Sequence, residues 1–423
     1  MNLLLKSSIV NPQSSISITG SKSETNRLLL LQALYPNLLL ENTSNSDDSE
    51  VMAKALSTDC HTEQACTERS RSIEVHHAGT AMRFLTTYFA IQENREVVLT
   101  GSSRMKERPI KILVDALRQL GAEISYEENE GFPPIRIKGK KLTQNKVSLL
   151  ANVSSQYISA LLLIAPKLEN GLELTLEGEI TSVPYIKMTL SLLNEIGVGT
   201  SFVGNTIKVN PKLITYNSQL ITVESDWSSA SYYYSIIALS AIGTKITLSS
   251  YKKNGLQGDS VLAEIYKEFG VETTFENNKI QLKKVINYQL STINCQLNSS
   301  PDIAQTIAVT CFGLGLGCHL AGLHTLKIKE TDRLLALKTE LEKLGAKVSI
   351  TDYSLTLSPS SPLLWRGVGG EVIKTYQDHR MAMAFAPLAL KTNIIIEEAE
   401  VVSKSYPAFW EDLKRIGFQI INI

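Results

Sequence analysis

The sequence predicts an α/β chain made of six copies of one helix-and-strand unit, arranged as two halves of three. Three observations carry that reading. Amphipathic segments end five times in a large apolar residue and a glycine, then run into a strand: LRQLGAEI, LLNEIGVGT, YKEFGVET, LEKLGAKV and LKRIGFQI. Their glycines, Gly121, Gly197, Gly270, Gly345 and Gly417, fall 76, 73, 75 and 72 residues apart, a period that marks duplicated supersecondary units. A strand, and usually a second, follows, as in TIKVN, KIQLKK and LTLSP. Each glycine stands where a helix C-terminus takes a left-handed residue. Projected back, the period reaches MAKAL near Leu56, which reads as a sixth, degraded copy. A solenoid is the alternative, but its repeats are usually shorter.

Composition bounds the function. The 423 residues suffice for two or three domains with filled cores. Apolar content of 43% and charged content of 20% are those of a soluble globular protein. The 42 basic and 42 acidic residues cancel, so no global field favours nucleic acid or an anionic membrane. An anion site must therefore come from local clustering. Five cysteines, at 60, 66, 295, 311 and 318, form no CxxC pair and read as free thiols of a reducing compartment. Cys311, Cys318, His319 and His324 lie in a Gly-rich apolar run that reads as a buried helix, not a metal site. The apolar part of MNLLLKSSIVNPQ is too short for a signal peptide. No stretch reaches the roughly 18 apolar residues of a membrane span, so a cytoplasmic enzyme or binding protein is expected. Residues 57–74 and 358–370 fall outside the period and read as surface loops, each removable with little loss of activity.

In chain order, the first element is an alternating run, Ser15 to Thr19, read as a strand. Gly20 follows, and Ser21-Lys22-Ser23-Glu24 fits the capping box that opens a helix. Free backbone N–H groups at a helix start attract anions, and Lys22 and Arg27 add charge there. The nucleotide P-loop does not fit, because Ser15 stands where its first glycine belongs. The same design recurs downstream. HHAGTAMRFLTTYFA sets a glycine before a helix carrying Arg83. GSSRMKERPI packs Arg104, Lys106 and Arg108 before Pro109. VSSQYISALLLIAP opens an apolar helix with two hydroxyls and an amide. KIKETDRLLALKTELEKLGA puts Leu334, Leu337, Leu341 and Leu344 on one face, with Glu330 at the helix start and Lys329 one turn from Arg333. YQDHRMAMAFAPLAL sets Asp378, His379 and Arg380 before another apolar helix, and VVSKSYPAFW adds Lys404. Several such helix mouths sharing one cleft make a polyanion site.

Taken together, GSKSETNR, AGTAMR, RMKERPI, SSQYISALLL, SVPYI, SSASYYY, PDIAQTIA, KETDR, DHRMAMA and SKSYP resemble, in order and spacing, the EPSP synthase (3-phosphoshikimate 1-carboxyvinyltransferase) family of enolpyruvyl transferases. The resemblance spans residues 20 to 410. It implies a two-domain inside-out α/β barrel, each domain three βαβαββ repeats. Residues 20–224 would form the shikimate 3-phosphate lobe, and 1–19 with 225–423 the phosphoenolpyruvate lobe, with a cleft that closes on ligand. It also implies a cytoplasmic monomer of chorismate biosynthesis. Its partners are the two small-molecule substrates, with no nucleic acid, membrane, cofactor or metal. The substrates bring about six negative charges, which a dry site must offset.

Carried over position by position, Lys22, Ser23, Arg27, Ser154, Ser155, Ser182, Tyr185, Asp302 and Lys329 resemble shikimate 3-phosphate contacts. Gln156 resembles a contact to both substrates. Lys22, Gly79, Arg104, Arg333, Arg380 and Lys404 resemble phosphoenolpyruvate contacts. The resemblance makes Asp302 the base for the 5-hydroxyl proton, and Glu330, with Lys22, the donor to the methylene carbon. His77, Val183 and Thr325 depart from the asparagine, lysine and asparagine usual at their positions, and Phe84 replaces a frequent proline. UDP-N-acetylglucosamine enolpyruvyl transferases are the nearest rival, but they carry a loop cysteine that GSSRMKERPI lacks. A non-catalytic anion-binding descendant is the rival of another class, set against it by the retained Asp302, Glu330 and Lys22.

Overall fold

Apolar helices alternate with short strands along the whole chain. Among the described residues the strands assort into five four-stranded sheets and one two-stranded sheet. The computed structural model describes every residue except 7–12, 58–70, 151–153, 179, 181–182, 213–217, 287–291 and 360–369.

The five larger sheets share one order, and one of them suffices to explain it. Arg71–Glu74 runs parallel to Glu96–Thr100, joined by the Gly79–Ala90 helix. A second helix, Lys111–Gln119, leads to Glu123–Tyr126, which turns back into Ile135–Lys138. The last strand lies antiparallel between the second and third. This is a βαβαββ unit with a parallel pair on one side and a hairpin on the other. Gly121, at φ 102°, ends the second helix. Gly197, Gly270, Gly345 and Gly417 are likewise left-handed, and a strand begins one to three residues after each.

The chain divides into two compact units, Ser21–Val223 and Met1–Gly20 with Glu224–Ile423. Each holds three of the six sheets, and none closes on itself among the described residues. In the second unit one sheet takes its inner strand, Leu3–Lys6, from the chain start, between Ile394–Ile396 and Gln419–Asn422. Another takes Gln13–Ile16, parallel to Lys245–Ser249. The chain then enters the Ser21–Val223 unit and returns beside its own exit. Gly20 pairs with Ser225, the Ser225 hydroxyl donates to the Ile18 carbonyl at 2.5 Å, and Asp226 N–H donates to Thr19.

The two-stranded sheet, Leu38–Glu41 with Gln219–Thr222, belongs to the copy placed near Leu56. MAKAL lies within the helix Asp47–Ser57. The expected loop 57–74 is corrected at its end, because Arg71–Glu74 is the first strand of a sheet. Its alternation was too short to stand out from polar neighbours. Removing it would strip Glu96–Thr100 of its parallel partner and leave it an edge strand. The segment 358–370 lies mostly outside the described residues, as do Cys60 and Cys66.

Helices joining the parallel pairs are apolar on every side and buried on every side, as all-round hydrophobicity requires. Four of them leave a single residue not buried, always the second. These residues are Thr80 in Gly79–Ala90, Gln156 in Ser155–Ile164, Ser228 in Trp227–Leu239 and Arg380 in His379–Phe385.

The left-handed glycines give a graded prediction. At Gly345 an added β-carbon meets nothing within 4 Å, so Gly345→Ala should cost only the backbone penalty, about 1–2 kcal/mol. At Gly270 that carbon would lie 2.1 Å from the Ile286 carbonyl oxygen. Gly270→Ala should lower stability clearly further in urea denaturation, and equal losses would show that backbone angle alone governs both sites.

Candidate active site

In the Ser21–Val223 unit the helix Lys22–Leu34 starts at the expected residue, but the capping box does not form. Ser21 makes no side-chain cap. Arg27, one turn in, is buried where four helices meet. Its Nε donates to Thr189 Oγ1 at 2.8 Å, Nη2 to Ser159 Oγ at 2.9 Å and Nη1 to the Ser23 carbonyl at 2.7 Å. The guanidinium also lies over the rings of Phe84 and Tyr185, 5.5 and 5.8 Å from their centroids. Among the described residues its bonds reach hydroxyls and a carbonyl, not a carboxylate. Burial lowers its pKa to about 10, against the opposing pull of Tyr185 and Glu24. A buried guanidinium so placed favours an incoming anion.

The neighbouring helix starts carry most of the other candidates. Lys22 Nζ lies 3.6 Å from Asp48, whose other oxygen is 3.9 Å from His77 Nε2. Ser154 caps its helix by accepting from Gln156 N–H, and Gln156 Nε2 donates to Thr80 Oγ1 at 3.1 Å. Ser155 is buried beside it. Gly79 opens its helix beneath Arg108. A β-carbon there would fall 2.5 Å from Arg108 Nη1, so a larger residue would need that flexible guanidinium to move aside. Arg83 is buried and joins this helix to the basic segment, donating to the carbonyls of Gly79 and Pro109, each at 3.1 Å. The Tyr157 hydroxyl donates to the same Pro109 carbonyl at 2.6 Å. Arg104 does not join the cluster. It is 71% exposed and pairs with Glu107 at 2.8 Å. Ser182 lies outside the described residues.

In the other unit the site is built on paired charges. Arg333, buried, reaches three carboxylates: Asp378 from Nε at 2.6 Å, Asp302 from Nη1 at 2.8 Å and Glu330 from Nη2 at 2.7 Å. Arg380 bonds the Asp302 carbonyl at 3.1 Å and its Oδ2 at 3.3 Å. Lys329 Nζ is 3.4 Å from Asp302. Burial alone would push the Asp302 carboxyl up, but Arg380, Lys329 and Arg333 together hold it well below the usual carboxylate range. Its stabilising contribution is therefore full above the ordinary carboxylate pKa of about 4 and is lost only as pH falls through the depressed folded value.

The expected helix register around Lys329 is corrected. The helix begins at Arg333 with Asp332 as its cap, accepting from Leu335 N–H at 3.1 Å, so Glu330 and Lys329 precede it. Lys329 and Arg333 are neighbours because both reach Asp302. Lys404 donates to the Gln377 carbonyl at 2.7 Å. The Thr325 hydroxyl is buried without a hydrogen-bond partner. The cysteine and histidine run is also corrected. Only Cys311 is helical, Cys318 and His319 lie on the strand Gly317–Ala321, and His324 opens a short turn. Gly315, at φ 74°, ends the helix, and no metal-holding group of His, Cys, Asp or Glu is found among the described residues.

One unit thus presents a buried cation at converging helix starts. The other presents three carboxylates on one arginine, of which Asp302 and Glu330 are less buried than Asp378. The sequence model of EPSP synthase (3-phosphoshikimate 1-carboxyvinyltransferase) matches residues 8–413. The chain belongs to this family. A 3-phosphoshikimate 1-carboxyvinyltransferase of Bacteroides fragilis is 46% identical over 416 residues, 96% of each chain. One from Haemophilus influenzae is 36% identical over 427 residues, again 96% of each. An EPSP synthase structure from Acinetobacter baumannii superposes with TM-score 0.80 over the full length of both chains at 20% identity. The enolpyruvyl transferase NikO from Streptomyces tendae gives 0.72 at 13% identity, covering 99% of this chain and 98% of its own. These two structures support the two-domain α/β fold alone.

Removing one partner of a buried ion pair leaves an uncompensated charge. Asp378→Ala should therefore lower stability by about 3 kcal/mol, the low end of that class, because Asp302 and Glu330 still face Arg333. Urea denaturation measures this, and a loss below about 1 kcal/mol would mean the pair is redundant.

Proposed function

We infer that the chain transfers the enolpyruvyl group of phosphoenolpyruvate to the 5-hydroxyl of shikimate 3-phosphate, releasing phosphate, in aromatic amino acid biosynthesis. Family membership supports the reaction. The observation that carries the residue assignment is Asp302, a carboxylate held by Arg333, Arg380 and Lys329, with Glu330 on the same arginine.

In this reading Asp302 takes the 5-hydroxyl proton as the oxygen attacks C2 of phosphoenolpyruvate. Glu330, with Lys22, delivers a proton to the C3 methylene, giving a tetrahedral intermediate. The C2–O bond to phosphate then breaks, a proton leaves the new methyl group, and the enol ether forms. Arg333, Arg380, Lys404, Lys22 and Gln156, with the Gly79 helix start, hold phosphoenolpyruvate. Arg27, Ser23, Ser154, Ser155, Gln156, Tyr185 and Lys329 hold shikimate 3-phosphate, and Ser182 and Arg104 complete the two sets. By resemblance the Ser21–Val223 unit carries most of the shikimate 3-phosphate contacts and the other unit is the phosphoenolpyruvate side, each with residues assigned to the other substrate. We further place the protein in the cytoplasm as a monomer without nucleic-acid or membrane partners. In support, no helix among the described residues is long and apolar enough to cross a membrane.

Phosphate release on mixing both substrates, and not with either alone, tests the reaction, and its absence would favour a non-catalytic anion-binding protein. Asp302→Ala should lower kcat by about 10²–10⁴-fold, the range for a general base, while moving the KM for shikimate 3-phosphate little. Arg27→Ala should weaken that substrate by about 1.5–3 kcal/mol, one charge-assisted hydrogen bond, by calorimetry. Exchanged phenotypes would overturn both roles.

A further inference from the structure

Ser228 is the one residue of the Trp227–Leu239 helix that is not buried, the position held by Gln156, Thr80 and Arg380 in their own helices. Its hydroxyl accepts from Arg380 Nη2 at 3.2 Å and donates to Asp259 Oδ2. Asp259 comes from the turn Gly258–Val261 and is buried. The donors and acceptors permit one direction only when Asp259 is ionised. A guanidinium donates but never accepts, so the Ser228 oxygen takes the Arg380 N–H and its own proton points to the carboxylate. The chain runs Arg380 to Ser228 to Asp259. The same Nη2 also donates to the Asp302 carboxylate, and Nη1 donates to the Asp302 carbonyl.

We propose that Asp259 and Ser228 are positioning residues for phosphoenolpyruvate, acting in series to hold the Arg380 guanidinium between Asp302 and the reacting acid. The inference rests on the assignment of Arg380 to that substrate. The neighbours of Asp259 agree with it. Burial pushes its carboxyl up to about 6, Arg380 opposes this, and Asp302 and Asp226 add to it. The directed chain is that of the ionised carboxylate, the form that Arg380 favours. A buried carboxylate with one hydroxyl partner and a cation beyond it is costly as a purely structural device, and its geometry serves the arginine.

The test uses the full chain and four variants, assayed for phosphate release with each substrate varied in turn. Asp259→Asn and Ser228→Ala should each raise the KM for phosphoenolpyruvate about tenfold, within the reach of one hydrogen bond to a charged group. The KM for shikimate 3-phosphate should stay within about twofold, and kcat should fall less than that KM rises. Because the two share one hydrogen-bonded path to Arg380, the loss in the double variant should fall clearly short of the sum of the single losses. Ser228→Thr, which keeps the hydroxyl, should restore most of the affinity. Equal rises in both KM values, additive losses in the double variant, or no change in Ser228→Ala would each overturn the proposal. Turnover by the unsubstituted chain is measured first. If it fails, the functional reading falls, whereas normal turnover with unaltered variants rejects only the positioning role.

Discussion

Buried positive charge at helix mouths is the constraint from which the rest of both units follows. Moving a guanidinium out of water costs several kcal/mol unless its surroundings answer it. The two units answer differently. Arg27 is met by two hydroxyls, a carbonyl and two aromatic rings, which orient the group without neutralising it. Arg333 is met by three carboxylates, which neutralise it and more. The first arrangement leaves a demand for an external anion. The second supplies Asp302, whose carboxyl Arg380, Lys329 and Arg333 together hold low. An enolpyruvyl transfer needs both, since its substrates are anions and its steps are proton transfers.

The repeat explains why these charges gather. A strand, a crossover helix and a parallel strand place the helix start at the carboxyl end of the first strand. Three copies per unit bring several helix starts to one end, and the bodies of those helices are apolar because sheets and helices enclose them. Only the opening turn is left for chemistry. That is why Thr80, Gln156, Ser228 and Arg380 share the second position of their helices and alone escape burial there. The duplicated core sets where function can sit, and the second residue of each helix sets what kind it is.

What could be read from the sequence divides along the same line. The five left-handed glycines were legible because a helix end demands that conformation wherever the period places it. The basic helix starts were legible because charge before an apolar run has few structural uses. Partners supplied from far along the chain carried no local signal. Asp48 meets Lys22, Ser159 and Thr189 hold Arg27 from 132 and 162 residues away, and Asp259 is linked by hydrogen bonds to Arg380 through Ser228. Local rules also misled where tertiary packing overrode them. Ser21 fits a capping box yet caps nothing, and Lys329 shares no helix with Arg333. Arg104 sits in a motif as telling as any, but in this structure its guanidinium turns to Glu107.

The state of Asp302 bears on how such a site becomes reactive. Burial is the largest single influence on its carboxyl and acts upward, and three cations together reverse it. A carboxylate held so low is a poor base. Anionic substrate oxygens arriving on Arg380, Lys329 or Arg333 would share those cations and weaken their hold, while exclusion of water would strengthen the effect of burial. Both changes raise the proton affinity of Asp302. Under the proposed assignment, substrate binding would create the base it needs, and only where the hydroxyl to be deprotonated is already present. The neutral net charge of the chain fits this proposal, because the cations concerned are local and already engaged by carboxylates that arriving anions would displace.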